Sequence, residues 1–232
     1  MNGVVERRRE HEYEYVMKNP ENLLEIEDLK EYFRTDAGTL KAVDGVTLGI
    51  ARGETVCLVG ESGCGKSVTG LAVMRLLPGP RGRFSGGSIR FANADGSCVD
   101  LARLPEKDMR LVRGSGISMV FQEPIASFDP VCTVGSQISE AIRSRNKKMG
   151  KNELKNKCLE LFGLVRIPEP GRVYGAYPHE LSGGMLQRAA IAAAVCQNPS
   201  LIIADEPTTA LDVTIQAHIL SLLRDLKDKT GA

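Results

Sequence analysis

Eight consecutive residues, Gly60-Glu61-Ser62-Gly63-Cys64-Gly65-Lys66-Ser67, restrict the folds open to this chain more than any other stretch. They fit the pattern G-x-x-x-x-G-K-[ST], which arises by chance in on the order of one chain in a hundred. Their setting makes the match specific. The apolar run Thr55 to Val59 before them predicts a strand buried on both faces, and Val68 to Leu77 after them predicts a helix. In such a loop, backbone N–H groups at a helix N-terminus converge on phosphate oxygens and the glycines permit the bend. Lys66 then reaches the β and γ phosphates, and Ser67 offers an oxygen to Mg²⁺.

The strand before such a loop belongs to a parallel sheet covered by helices. Gly116 to Phe121 and Leu201 to Ala204 are two more continuously apolar runs of this kind. Nearer the N-terminus, Leu24, Ile26, Val43, Val46, Leu48 and Ile50 lie in short extended segments broken by Gly38, Gly45 and Gly53. With a further strand at Ser88 to Phe91, after the turn-rich Pro78 to Gly87, they predict an antiparallel layer. Apolar spacing predicts a helix over Lys151 to Val165 and a shorter one around Ile138 and Ile142. Asp212 is placed to cap a last helix that carries Ile215, Ile219, Leu222, Leu223 and Leu226 on one face, with Lys227, Lys229 and Gly231 as stop signals. Residues 1–22 are charged and read as an arm.

Thirty Lys and Arg nearly cancel 29 Asp and Glu, for a net charge of +1. That balance gives no electrostatic reason to expect nucleic acid as a partner. The basic run Arg7 to Arg9 is flanked by Glu6 and Glu10. No apolar run approaches the ~20 residues of a membrane span. The six cysteines show no metal-ligand spacing and are read as separate reduced thiols.

Two further strings carry chemistry. Leu201-Ile-Ile-Ala-Asp205-Glu206 ends an apolar strand in two carboxylates; alone it is equally a strand-end turn. Beside a phosphate loop on a parallel sheet, Asp205 is expected to hold Mg²⁺, and Glu206 to orient or deprotonate the water that attacks the γ phosphate. In Leu181-Ser182-Gly183-Gly184-Met185, Ser182 is placed to cap a helix over Met185 to Gln197 whose N–H groups face an anion. That string is foreign to most phosphate-loop enzymes.

From Leu23 to Thr230 the sequence resembles the ATP-binding cassette family. The resemblance implies an α/β fold, a P-loop NTPase with a mainly parallel core sheet, an N-terminal antiparallel β layer and an inserted helical subdomain at about 124–180. It also implies that Leu181 to Met185 caps ATP held by a second cassette subunit. Gln122 then senses Mg²⁺ and the attacking water, and Ala210, Leu211 and Asp212 form the loop that couples two sites. Phe33, or else Tyr32, falls where the family stacks an aromatic ring on adenine. The family's switch histidine ends a further strand after the last helix. None of His11, His179 and His218 is there, so the reading is of a cassette, 23–232, that stops one strand early.

Phe121-Gln-Glu-Pro-Ile-Ala-Ser-Phe-Asp-Pro130, Tyr177-Pro-His-Glu-Leu-Ser-Gly-Gly-Met185 and Ala204-Asp-Glu-Pro-Thr-Thr-Ala-Leu-Asp-Val-Thr-Ile-Gln216 are similar to the dipeptide, oligopeptide and nickel importer branch. The implied protein is an ATP-hydrolysing subunit at the cytoplasmic face of the membrane. It would pair with a second cassette, in a homo- or heterodimer, and with membrane permease subunits. An extracytoplasmic solute-binding protein would be an indirect partner, and ATP and Mg²⁺ the cofactors. The alternatives are a soluble accessory of carbon–phosphorus bond cleavage and a fragment that binds nucleotide without turnover. The DNA-repair members are disfavoured because no long coiled coil separates the phosphate loop from Leu181.

Overall fold

The computed structural model describes residues 16–36, 38–77, 82–209 and 212–232. Strands β1 (Asn22–Thr35), β2 (Gly38–Ala51), β3 (Gly82–Ala92) and β4 (Cys98–Asp100) form an antiparallel sheet in the order β2-β1-β3-β4. Strands β5 (Ile117–Val120) and β6 (Leu201–Ala204) form a separate parallel pair. Helix α1 (Lys66–Met74) falls between β2 and β3 in sequence, and α2 (Glu106–Val112) between β4 and β5. Then α3 (Val134–Arg145), α4 (Lys151–Leu164), α5 (Pro170–Gly175) and α6 (Gly183–Val195) fill the stretch between β5 and β6, and α7 (Val213–Thr230) closes the chain.

The parallel pair separates two cores. Side chains alternate across a strand, so Ile117 and Met119 pack with the antiparallel layer and α1, whereas Val120 joins the helical cluster of α3, α4, α6 and α7. Burial on both faces is why β5 reads as unbroken apolar sequence.

The helical boundaries follow local signals. The Asp212 carboxylate accepts from the Ile215 N–H at 2.9 Å, and Gly231, at φ +71°, ends α7 in the left-handed region. Ser182 caps α6 by accepting from the Met185 N–H at 3.4 Å; the helix begins at Gly183 and ends at Val195, two residues earlier at each end than the sequence suggests.

Three expectations are corrected. Gly45 does not break a strand: β1 and β2 each run 14 residues, and Gly45, at φ +92°, is the extra residue of a bulge between the pairs Leu29–Val46 and Lys30–Asp44. The end of the charged arm is tied down: the backbone N–H groups of Lys18 and Asn19 donate to the Glu25 carboxylate at 2.8 and 2.7 Å, and Asn22 already belongs to β1. Burial raises the Glu25 pKa, but these donors, the Asn22 amide and Arg90 outweigh it and hold the carboxyl below its ordinary value. Residues 1–15 lie outside the described residues.

The third correction concerns Thr55 to Val59. This run is neither a strand nor buried; Leu58 is 48% and Val59 93% exposed. Among the described residues no strand lies beside it, so its backbone has no ladder to join and its apolar side chains have no layer to cover them.

Candidate functional site

The phosphate loop enters α1 through Gly65, whose φ of +96° lies in the left-handed region. A Cβ there would stand 2.4 Å from the Ala42 carbonyl oxygen, so the loop rests directly on β2. No side chain caps α1 and no acidic residue occupies its first turn, which leaves its leading N–H groups open to an anion. The Lys66 ammonium donates to the loop's own carbonyls, Gly60 O at 2.9 Å and Glu61 O at 2.8 Å. It also stands 3.9 Å from Cys64 Sγ. The side chain is thereby folded back over the loop it belongs to.

Glycine again decides how α1 meets the parallel pair. A Cβ on Gly70 would lie 3.2 Å from Ile203 Cγ2, so the helix settles closely on β6. That approach sets Ser67 over the end of the strand, where its hydroxyl donates to Asp205 Oδ1 at 2.7 Å. The register of the pair does the rest. Val120 faces Ala204, and the Asp205 N–H donates to the Val120 carbonyl at 2.9 Å. Two residues farther on, Gln122 and Glu206 meet: Gln122 Nε2 donates to Glu206 Oε2 at 2.9 Å.

Four expected site residues thus come together at the ends of α1, β5 and β6. Ser67 Oγ, Asp205 and the Gln122 amide are hard oxygen donors, a set that suits Mg²⁺. The sequence reading missed Thr209. Its hydroxyl donates to Glu206 Oε2 at 2.9 Å and its N–H to the Glu206 carbonyl at 3.1 Å. It stands inside the string Ala204 to Gln216, but a hydroxyl in a turn leaves no periodic signal to find.

The remaining expectations are met unevenly. Leu181 and Met185 pack against the helical core, and a Cβ on Gly184 would lie 3.3 Å from Ile215, so the start of α6 touches the first turn of α7. Just before it, Tyr177 and His179 stack at 5.6 Å, and the Tyr177 N–H donates to Glu180. Phe33 is half-buried on β1 opposite Leu40, and no ring contact involves it among the described residues. Tyr32 donates to Asp44 at 2.6 Å, which leaves its ring committed to the surface of the antiparallel sheet. Ala210 and Leu211 lie outside the described residues, and Asp212 is the cap of α7.

A family model described as ABC transporter matches residues 43–209, the span that holds the phosphate loop, Gln122, Leu181 to Met185 and both carboxylates. The chain belongs to the ABC transporter family. Among its relatives, the dipeptide transport ATP-binding protein of Bacillus subtilis is 48% identical, over 90% of this chain and 61% of that protein. The oligopeptide transport ATP-binding protein of the same organism is 49% identical, over 89% and 56%. This ABC transporter chain therefore spans about 56–61% of the length of these two relatives.

Solved ABC cassettes share the fold. A dimeric bacterial ABC transporter cassette matches with a TM-score of 0.77 at 27% identity, over 90% of this chain and 84% of that one. A dimeric ATP-binding cassette in a post-hydrolysis state, bound to ADP and Pi, matches at 0.76 with the same identity and coverage. Among the described residues no helix is long and apolar enough to cross a membrane.

Proposed function

We propose that this chain is the ATP-binding and ATP-hydrolysing subunit of an importer for peptides. The observation that carries the reading is the convergence of Ser67 with Asp205, and of Gln122 with Glu206, at the mouth of the phosphate loop. The loop and the open N-terminus of α1 hold the phosphates of ATP. Lys66, already drawn over the loop, neutralises the β and γ phosphates. Ser67, Asp205 and Gln122 would hold Mg²⁺, which would supply positive charge against the developing charge on the phosphates. Glu206 orients the attacking water and accepts its proton.

Relatives named for dipeptide and oligopeptide transport favour peptides over nickel as the solute class. In this reading residues 23–232 are one cassette with a helical insert at about 124–180. Leu181 to Met185 closes on ATP held by a second cassette, and both work at the cytoplasmic face beneath membrane permease subunits fed by a solute-binding protein. Phe33 is proposed as the residue beside adenine.

The test is ATP binding and hydrolysis by wild type and Glu206→Gln. The variant is expected to bind ATP normally and to lose hydrolysis; normal turnover by the variant would remove Glu206 as the base. No turnover by the wild type, despite ATP binding, would favour a nucleotide-binding fragment. Uptake of a labelled dipeptide by cells with and without the intact gene separates a transporter from an accessory of carbon–phosphorus bond cleavage.

A further inference from the structure

We infer that Thr209 is a positioning residue for Glu206 and selects which of its two carboxylate oxygens takes the proton from water. The inference rests on the reading of Glu206 as the base. Glu206 Oε2 accepts two hydrogen bonds, from Gln122 Nε2 and from Thr209 Oγ1, each at 2.9 Å. Oε1 accepts none from the described residues. An oxygen with two donors already on it has little lone-pair density left for a third proton, so the acceptor is Oε1. Proton transfer is then written without ambiguity. The water oxygen bonds to the γ phosphorus, a water proton passes to Oε1, and the bond from the γ phosphorus to the bridging oxygen breaks with its electron pair leaving on ADP.

The two donors are not equivalent. Gln122 reaches Glu206 from the end of β5, and its amide oxygen is also among the donors suited to Mg²⁺. Thr209 is three residues from Glu206 in the same turn and holds it twice, by the side-chain bond and by its N–H to the Glu206 carbonyl at 3.1 Å. That turn is unusual: Glu206 has a φ of +44°, in the left-handed region, directly before Pro207. A non-glycine residue held there is costly and persists only where neighbours fix it, a condition often met at active sites. Thr209 thus holds the carboxylate from within its own turn, while Gln122 donates to the same oxygen from the end of β5.

The experiment compares Thr209→Val, which keeps the shape and removes the donor, with Thr209→Ser, which keeps the donor. ATP hydrolysis and the Kd of a non-hydrolysable ATP analogue are measured on the full-length protein, beside Glu206→Gln. Thr209→Val is expected to lower kcat about tenfold, the worth of one well-placed hydrogen bond, with the analogue Kd changed less than about twofold. Thr209→Ser is expected to recover kcat to within about threefold of wild type. Thr209→Ala should repeat the valine result, and it decides the matter if valine is not accommodated in the turn. Wild-type kcat in both donor-less variants, a loss confined to Kd, or a serine variant as slow as valine would overturn the inference. If Glu206→Gln itself hydrolyses ATP normally, the base assignment fails first and is recognised by that variant alone.

Discussion

Ser67 in the first turn of α1 and Asp205 at the end of β6 are joined by a hydrogen bond of 2.7 Å across 138 positions of sequence. The bond makes one oxygen cluster from two motifs, and it exists because Gly70 lets the helix lie closely on the strand. Asp205→Asn keeps the shape and removes the charge. It should leave the melting temperature nearly unchanged but reduce by at least about tenfold the gain in ATP affinity that Mg²⁺ provides, since Asp205 is the one anionic oxygen donor of the set and a hard cation is held most strongly by such oxygen. Nucleotide titrations with and without Mg²⁺ read this directly; an undiminished Mg²⁺ effect would detach Asp205 from the metal.

Two glycines of the phosphate loop should respond differently to alanine. Both have positive φ, +81° at Gly63 and +96° at Gly65, but a Cβ on Gly63 meets nothing within 4 Å, whereas one on Gly65 meets the Ala42 carbonyl oxygen at 2.4 Å. Gly63→Ala should cost about 1–2 kcal/mol, the backbone penalty alone. Gly65→Ala adds a backbone clash and should cost about 3 kcal/mol or more. Urea midpoints of the two variants decide it, and equal losses would show that the loop relaxes away from β2.

The six cysteines divide by exposure, and alkylation should follow that division. Cys57, Cys64 and Cys132 are exposed. Burial pushes the Cys158 thiol up to about 12, with neighbouring Cys196 adding to it, and pushes Cys196 itself up to about 11. Thiols react as thiolates, so mass spectrometry at pH 8 should find label on the three exposed residues and on neither Cys158 nor Cys196 until the protein is unfolded. ATP should slow labelling of Cys64, inside the loop, and leave Cys132 unaffected. Equal rates at Cys64 with and without nucleotide would contradict the loop as the phosphate site.

Glu31 predicts a pH effect. It is 3% exposed on β1, one of its oxygens has no hydrogen-bond partner, and burial raises its pKa from 4.5 to about 7. The folded chain therefore keeps a proton that the unfolded chain has already released, and stability falls as pH rises from about 4.5 to 7. Glu31→Gln removes that penalty. The variant should match wild type near pH 4 and exceed it by about 2–3 kcal/mol at pH 8, in denaturant titrations at the two pH values.

Much of the site was legible because the decisive residues sit in strings whose order fixes their place. Once β5 and β6 are parallel with Val120 beside Ala204, Gln122 and Glu206 must stand together. Helix ends were legible for a similar reason: Asp212, Ser182 and Gly231 act on groups within their own turn. What was hidden depends on neighbours. Thr55 to Val59 has the composition of a buried strand, but composition records what side chains favour and cannot supply the strands beside them. Gly45 carries a turn signal that the long β1–β2 pair absorbs as a bulge. The hydroxyl of Thr209 acquires its role only when Glu206 is bent into the left-handed region.

Gly184 and Ile215 make a single packing unit out of the start of α6 and the first turn of α7. Any side chain grafted onto position 184 must be answered by lost volume at 215. A chimera that takes Leu181 to Met185 from a relative with a bulkier residue at 184 will need the donor's residue at 215 as well. The two positions form one packed part, although neither belongs to the other's motif.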